Sequence, residues 1–395
     1  MKIYCDHSAT TYMDKRVLDE MMPYLTDIFG NASSQHFYGR EACKGVDIAR
    51  AKIAKALNCK PTEVYFTSGG TEADNWAIKG TAMALQDKGN HIITSAIEHP
   101  AVIDTCHQLE KQGFDVTYLP VDTEGFVSLT DLENAITDKT ILITIMTANN
   151  EIGSIQPFAQ IGAIAKAHNI YFHTDAVQAV GSLDIDVERD NIDMLSMSGH
   201  KFYGPKGVGV LYKSNKVKIA KFMTGGEQER NQRASTTNTP SIVGMAKALE
   251  LAVSERDKNN AHNRELRDYF VQEVEKNIKD VRFNGTRDFS KRLSNNANFS
   301  FEFIEGEALL LRLDLKGIAV SSGSACSSGS LDPSHVLLAI KVPIELAHGS
   351  LRFSFGKCNT KEQVDFIVEN LKNIVNDLRV LSPLFKEIKG VEIHV

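Results

Sequence analysis

The sequence predicts an α/β protein with a large, mainly parallel-sheet domain followed by a smaller α+β domain. Three observations predict it. Between Val64 and Tyr212, short apolar runs alternate with helical segments, the pattern of parallel strands joined by crossover helices and covered on both faces. After Pro240 a helical stretch carrying Ala246, Leu249, Leu251, Leu266 and Val274 among many charges continues to about Ile278, as a bridge between lobes would. Beyond it, strand-like and helical runs mix without the earlier regularity. The expected divisions are residues 1–13, an N-terminal arm packing with the small domain; 14–255, the large domain; and 256–395, the small domain, with a mobile loop over 321–335.

In chain order, the arm is extended and Asp14 opens a helical pattern through Val17, Leu18, Met21, Met22, Leu25 and Ile28, stopped by Gly30. The polar turn from Asn31 to His36 leads into a second amphipathic helix from about Gly39 to Leu57. Strands are expected from Val64 to Thr67, Ile92 to Ser95, Val116 to Leu119, Thr140 to Met146 and Tyr171 to His173. Two more, Ile192 to Met197 and Val208 to Tyr212, flank a glycine-rich turn. The C-terminal part gives strands from Asn298 to Phe303, Ile318 to Ser321 and Ser350 to Phe355, and helices from Gly306 to Leu313 and Thr360 to about Leu381.

The 395 residues are 42% hydrophobic, enough for a sizeable core in more than one lobe. A net charge of -6 argues against a nucleic-acid or membrane-surface binder. The N-terminus lacks the apolar run of a signal peptide and no run is long enough to span a bilayer, so the expected location is cytoplasmic. The six cysteines are scattered without Cys-x-x-Cys pairs, which speaks against a disulfide framework or a metal site.

The residues able to carry chemistry fall where the expected strands end, the place where α/β sheets collect functional groups. In Ser68-Gly-Gly-Thr-Glu-Ala-Asp74, a glycine pair between strand and helix turns several backbone N–H groups toward one point, which suits a phosphate. It lacks the spacing of dinucleotide and nucleoside triphosphate loops. His99, before Pro100, can stack on a cofactor ring and move protons. Asn150, in Thr147-Ala-Asn-Asn-Glu-Ile-Gly153, reads equally as a turn former and as a ligand-binding amide.

Asp175 follows a buried-looking strand, and a carboxylate there needs a compensating partner such as a protonated pyridine nitrogen. Gln178 could then donate to the phenolic oxygen of the same ring. Lys201 lies in Ser198-Gly-His-Lys-Phe-Tyr-Gly204, between two apolar strands. An isolated turn lysine is ordinarily a solvated one, but small neighbours and a glycine-rich turn can present this amine to a cleft for Schiff-base chemistry with pyridoxal phosphate.

In the order Gly-Gly-Thr, His, Asn, Asp-x-x-Gln and Ser-x-His-Lys, these pieces resemble the fold-type I pyridoxal phosphate enzymes. More closely, the chain is similar to the cysteine desulfurases of the NifS/IscS class, within the class V aminotransferases. The agreement runs from Asp6 and Ala9-Thr-Thr11 through Asn149-Asn-Glu-Ile-Gly153 to Leu351-Arg-Phe-Ser-Phe-Gly356. The resemblance implies that Lys201 carries the cofactor, that Asp175 and Gln178 hold its ring, and that His99 stacks on it. Gly70, Thr71, Ser198 and His200 would bind its phosphate, with Asn150 a further cofactor contact. Thr236 would reach the phosphate of a neighbouring subunit, which implies a homodimer. Arg352 would grip the substrate α-carboxylate, assisted by Asn150 and Asn31.

In the loop from Ser321 to Ser330, every residue but Cys326 is Ser, Gly or Ala, so nothing there anchors a core. A free thiol titrates near ~8.5 and needs its site to activate it. The resemblance to the Ser-x-Ser-Ala-Cys loop of the first group of desulfurases makes Cys326 the nucleophile. Cys5, Cys43, Cys59, Cys106 and Cys358 are expected to be structural. L-Cysteine would then yield L-alanine and a persulfide on Cys326, passed to an iron–sulfur scaffold or another acceptor such as a tRNA-thiolation relay. Two rivals are an aminotransferase on the same fold and a non-enzymatic sulfur carrier. Departures from the family pattern are His7-Ser8, Ala32 after Asn31, and Ser235, where glycine usually precedes the phosphate threonine.

Overall fold

The structure, a computed structural model, describes residues 1–322, 333–383 and 385. Cys326 and most of the expected 321–335 loop lie outside the described residues. Twelve strands are numbered in chain order among the described residues: β1 (Ile3–Tyr4), β2 (Val64–Thr67), β3 (His91–Ser95), β4 (Asp115–Leu119), β5 (Thr140–Thr144), β6 (Tyr171–Asp175), β7 (Met194–Ser198), β8 (Gly209–Lys213), β9 (Val281–Phe283), β10 (Asn296–Phe301), β11 (Ile318–Ala319) and β12 (Ser350–Ser354). Seven of them form one sheet in the order β2-β8-β7-β6-β5-β3-β4. Its interior strands β5 and β7 read as unbroken apolar or small runs because both faces are covered.

The pairs from β4 to β7 are parallel, but β8 runs antiparallel to both β7 and β2. The reason is chain length. Only residues 199–208 separate β7 from β8, too few for a crossover helix. The connection must turn back directly, and that turn carries Lys201. On one face the helices Lys15–Thr26, Phe37–Leu57 and Thr239–Ser254 pack on the sheet. On the other lies Gly70–Leu85, which buries Trp76 and Ile78 completely.

A separate apolar cluster surrounds the three-stranded sheet β12-β10-β9 and the helices Arg256–Asn277, Gly306–Leu315 and Lys361–Leu381. The arm joins it. β1 pairs in parallel with β11, and Ile3 and Cys5 are buried in this second cluster.

The helical stretch expected to run unbroken from Pro240 to Ile278 is two helices, Thr239–Ser254 and Arg256–Asn277. The first is apolar and belongs to the sheet. The second is rich in charge and packs on the other cluster through Leu266, Phe270 and Val274. Ion pairs from Arg16 to Glu255 at 2.6 Å and from Arg256 to Asp184 at 2.8 Å hold the corner between them.

Candidate active site

The carboxyl ends of β2, β3, β5, β6 and β7 open on a cleft of about 350 Å³. Its lining brings together Gly70, Thr71, His99, Asn150, Asp175, Gln178, Ser198, His200, Lys201 and Arg352. At one end, Gly70–Leu85 begins without a side-chain cap among the described residues, so its first turn presents N–H groups beside Thr71, Ser198 and His200. Gly70 has a steric reason to be glycine. A Cβ there would stand 2.6 Å from Val177 Cγ2.

Asp175 ends β6 with its carboxyl buried, and Oδ1 accepts from the Val177 N–H at 2.9 Å. Burial pushes this carboxyl up, while His99, the Val177 N–H and Lys201 pull it back. His99 caps the helix Pro100–Glu110, its Nδ1 accepting from the Ala101 N–H at 3.1 Å. That bond fixes the ring at the cleft, and burial holds it below the ordinary histidine value.

Lys201 extends toward the arm, where Nζ donates to the Ser8 and Ala9 carbonyls at 2.6 and 2.9 Å. Gln178 Nε2 donates to the same Ser8 carbonyl at 2.8 Å. The Ala9-Thr-Thr11 motif latches the Lys201 turn: Thr11 Oγ1 donates to the His200 carbonyl at 2.8 Å and accepts from the Tyr203 N–H at 2.8 Å. Thr10 Oγ1 meets His200 Nδ1 at 3.1 Å. Burial holds His200 neutral, its pKa lowered to about 4.

Arg352, on β12, is 2% exposed. Its Nη2 donates to Asp6 Oδ1 at 2.8 Å and its Nη1 to the Asn150 carbonyl at 3.0 Å. Its Nε is buried and has no hydrogen-bond partner among the described residues. Asn149 is the turn former of its motif, accepting from the Glu151 and Ile152 N–H groups at 2.8 and 3.0 Å. Asn150 is thereby free to face the cleft.

Sequence reasoning missed several supporting groups. Glu98 is fully buried, accepts from Ser95 Oγ at 2.5 Å and from the Met146 N–H at 2.9 and 3.1 Å, and ties β3 to β5 beneath His99. Ser334 Oγ donates to Glu151 Oε2 at 2.5 Å, and His335 Nε2 lies 2.9 Å from the Glu98 carbonyl. At the other flank of the Cys326 segment, Ser321 exchanges backbone hydrogen bonds with Arg352 at 3.2 and 2.7 Å. Asp74 also lines the cleft. Only Asp74 had a signal in the sequence, a helical i+4 spacing from Gly70.

Asn31 and Thr236 stand outside this cleft. Asn31 is exposed and folded into its own turn, its Oδ1 accepting from the Ser33 N–H at 2.9 Å. Within one chain it makes no approach to the substrate end. Thr236 is exposed too, on a segment tethered to the start of Gly70–Leu85 by the half-buried ion pair of Arg233 with Glu72, 2.7 Å. The preceding Ser235 has φ 117°, a backbone region that favours glycine. Among the described cysteines, burial raises Cys5, Cys59 and Cys106, the last two to about 12, whereas Cys358 is exposed.

Residues 3–367 match the family described as aminotransferase class-V. The chain belongs to this family. As a class V aminotransferase relative, it is 56% identical over 386 residues to a cysteine desulfurase IscS of Clostridium botulinum, covering 98% of this chain and 97% of that one. It is 56% identical over 382 residues to a cysteine desulfurase IscS of Methanosarcina thermophila, covering 97% and 94%. Among solved structures, a NifS-like protein superposes with TM-score 0.90 at 38% identity over 96% of this chain and 100% of that one. A structure of SspA in complex with cysteine gives TM-score 0.79 at 38% identity, over 91% and 100%.

The cofactor of this class V chain is pyridoxal 5'-phosphate. The cleft suits it on the donor set alone: a helix start and hydroxyls for a phosphate, a buried carboxyl for a ring nitrogen, and an amine within the same walls.

Proposed function

We propose that the protein is a pyridoxal phosphate-dependent cysteine desulfurase that converts L-cysteine to L-alanine and leaves the sulfur as a persulfide on Cys326. One observation carries the reading. A single cleft holds the amine Lys201, the carboxyl Asp175 and the arginine fork of Arg352, and both described flanks of the Cys326 segment are bonded to its walls. Cys326 itself lies outside the described residues, between Ser322 and Pro333 in the sequence. The relatives named cysteine desulfurase support the reaction.

Pyridoxal phosphate, when bound, supplies an electron sink for bonds broken at the substrate's α- and β-carbons. Lys201 would hold the cofactor aldehyde and move the substrate α-proton. Gly70, Thr71, Ser198 and His200 would bind the phosphate, Asp175 would hold the ring nitrogen with Gln178 and Asn150 as further contacts, and His99 would lie against the ring and carry protons. Arg352 grips the α-carboxylate in its planar fork, with Asn150 beside it. The Cys326 thiolate attacks the substrate sulfur: the new S–S bond forms, the substrate Cβ–S bond breaks, and Cβ gains a proton as alanine leaves.

The functional unit in this reading is a homodimer in which Thr236 serves the partner's site, as its exposure allows. An iron–sulfur scaffold is the sulfur acceptor. The division at residues 13 and 255 is supported by the arm's membership of the second apolar cluster.

Mass spectrometry after addition of L-cysteine tests the reaction, with one extra sulfur expected on the peptide containing Cys326. Cys326→Ser should keep the cofactor's yellow absorbance and make no alanine, and Lys201→Ala should lose the absorbance. Undiminished alanine from Cys326→Ser would overturn the assignment.

A further inference from the structure

The cleft contains a second buried carboxyl that the proposed reaction does not use. Asp74 sits one helical turn after Gly70, lines the cleft, and is 1% exposed. Its Oδ1 is buried and has no hydrogen-bond partner among the described residues. The ring nitrogen Nε2 of His173 is 3.7 Å from that oxygen. His173 stands two residues before Asp175 on β6, so both side chains leave the strand on one face.

His173 cannot supply the missing positive charge. Its two ring nitrogens lie 2.8 Å from Thr144 Oγ1 and 2.9 Å from Ser196 Oγ, neutral hydroxyls on β5 and β7. Complete burial lowers its pKa to about 3. Besides His173, the titratable groups facing Asp74 are Asp175 and Glu98, both acids; with burial as the largest cause they raise it, against the Ser196 hydroxyl, which lowers it. An ionised Asp74 would be an unpaired anion among acids, the costliest state for a buried carboxyl.

We propose that Asp74 is a positioning residue for the cofactor ring: it stays a neutral acid against His173, leaving Asp175 the one anion of the pair to hold the ring nitrogen. The idea rests on the reading of the cleft as a pyridoxal phosphate site. Its content is a division of labour between two acids on facing elements. A second anion would compete for the ring proton, whereas a neutral acid fills the space and offers a donor.

Infrared difference spectra of wild type minus Asp74→Asn, taken near neutral pH with and without pyridoxal phosphate, test it directly. The wild type should show the C=O stretch of a protonated carboxylic acid that the variant lacks; loss of a carboxylate band instead would overturn the proposal. A second measurement follows the absorbance of the bound cofactor across pH. Asn keeps the neutral shape and a donor, so Asp74→Asn should keep the wild-type spectrum and its pH midpoint. Asp74→Ala should shift the midpoint and hold the cofactor about tenfold more weakly. Equal shifts in both variants, or none in Asp74→Ala, would also sink it. Wild-type protein that takes up no cofactor would count against the functional reading, and the cofactor-free infrared comparison would still decide the state of Asp74.

Discussion

Arg352 shows at residue scale how a buried charge is made usable. Its fork is almost wholly out of water, tied to Asp6 and to the Asn150 carbonyl, with Nε unpartnered among the described residues. Arg352→Lys retains the charge and loses the planar geometry, so kcat/KM for L-cysteine should fall about 100-fold, mostly through KM, with the cofactor absorbance retained. Steady-state kinetics with absorbance spectra check this. Glu98 carries a pH prediction. Burial, as the largest cause, lifts its pKa from 4.5 to about 8. A carboxyl raised on folding adds stability below its unfolded value and loses it as pH rises through the folded one. Thermal melts should therefore show wild type losing several degrees relative to Glu98→Gln between pH 5 and about 8, with the gap constant above that. Neither Glu98 nor the Asp6 contact was legible in the sequence, because each acquires meaning only from a partner far along the chain.

At the scale of elements, the opening of Gly70–Leu85 is the sharpest constraint. Alanine normally favours a helix over glycine by about 1 kcal/mol. Here the 2.6 Å approach to Val177 Cγ2 reverses the sign. Gly70→Ala should lower the melting temperature and weaken cofactor binding about tenfold or more, and adding Val177→Ala should restore much of both, as fluorescence titration with pyridoxal phosphate would show. The strands on either side of this helix were legible because long apolar runs between turn residues have one reading in a doubly covered sheet. The break at Glu255 was not, since charges inside a helical pattern do not say which core the helix serves. β9, only Val281–Phe283, was too short to carry a period.

At the scale of the molecule, an exposed apolar face remains to be accounted for. Phe29 is 67% and Phe37 61% exposed, Met22, Leu25 and Tyr38 are exposed beside them, and Phe29 and Phe37 each pack on Tyr38 with ring centroids 5.3 and 5.6 Å apart. Exposed aromatics in such a cluster mark an interaction surface, in keeping with the proposed homodimer. Sedimentation should give a dimer for wild type and at least about tenfold weaker association for Phe37→Glu. The sequence by itself determined the α/β class and most strands, and it proposes Lys201, Asp175, Gln178 and His99 as the cofactor's residues and Cys326 as the thiol. Those features are local: a strand's apolar run or a residue at a strand's end is written in adjacent positions. The tertiary structure alone decided that the Lys201 turn joins antiparallel strands, that the arm meets Lys201 and Arg352 with backbone and Asp6, and that Asp74 lies among other acids. Such pairings depend on which distant segments share a wall, and no periodicity along the chain records that.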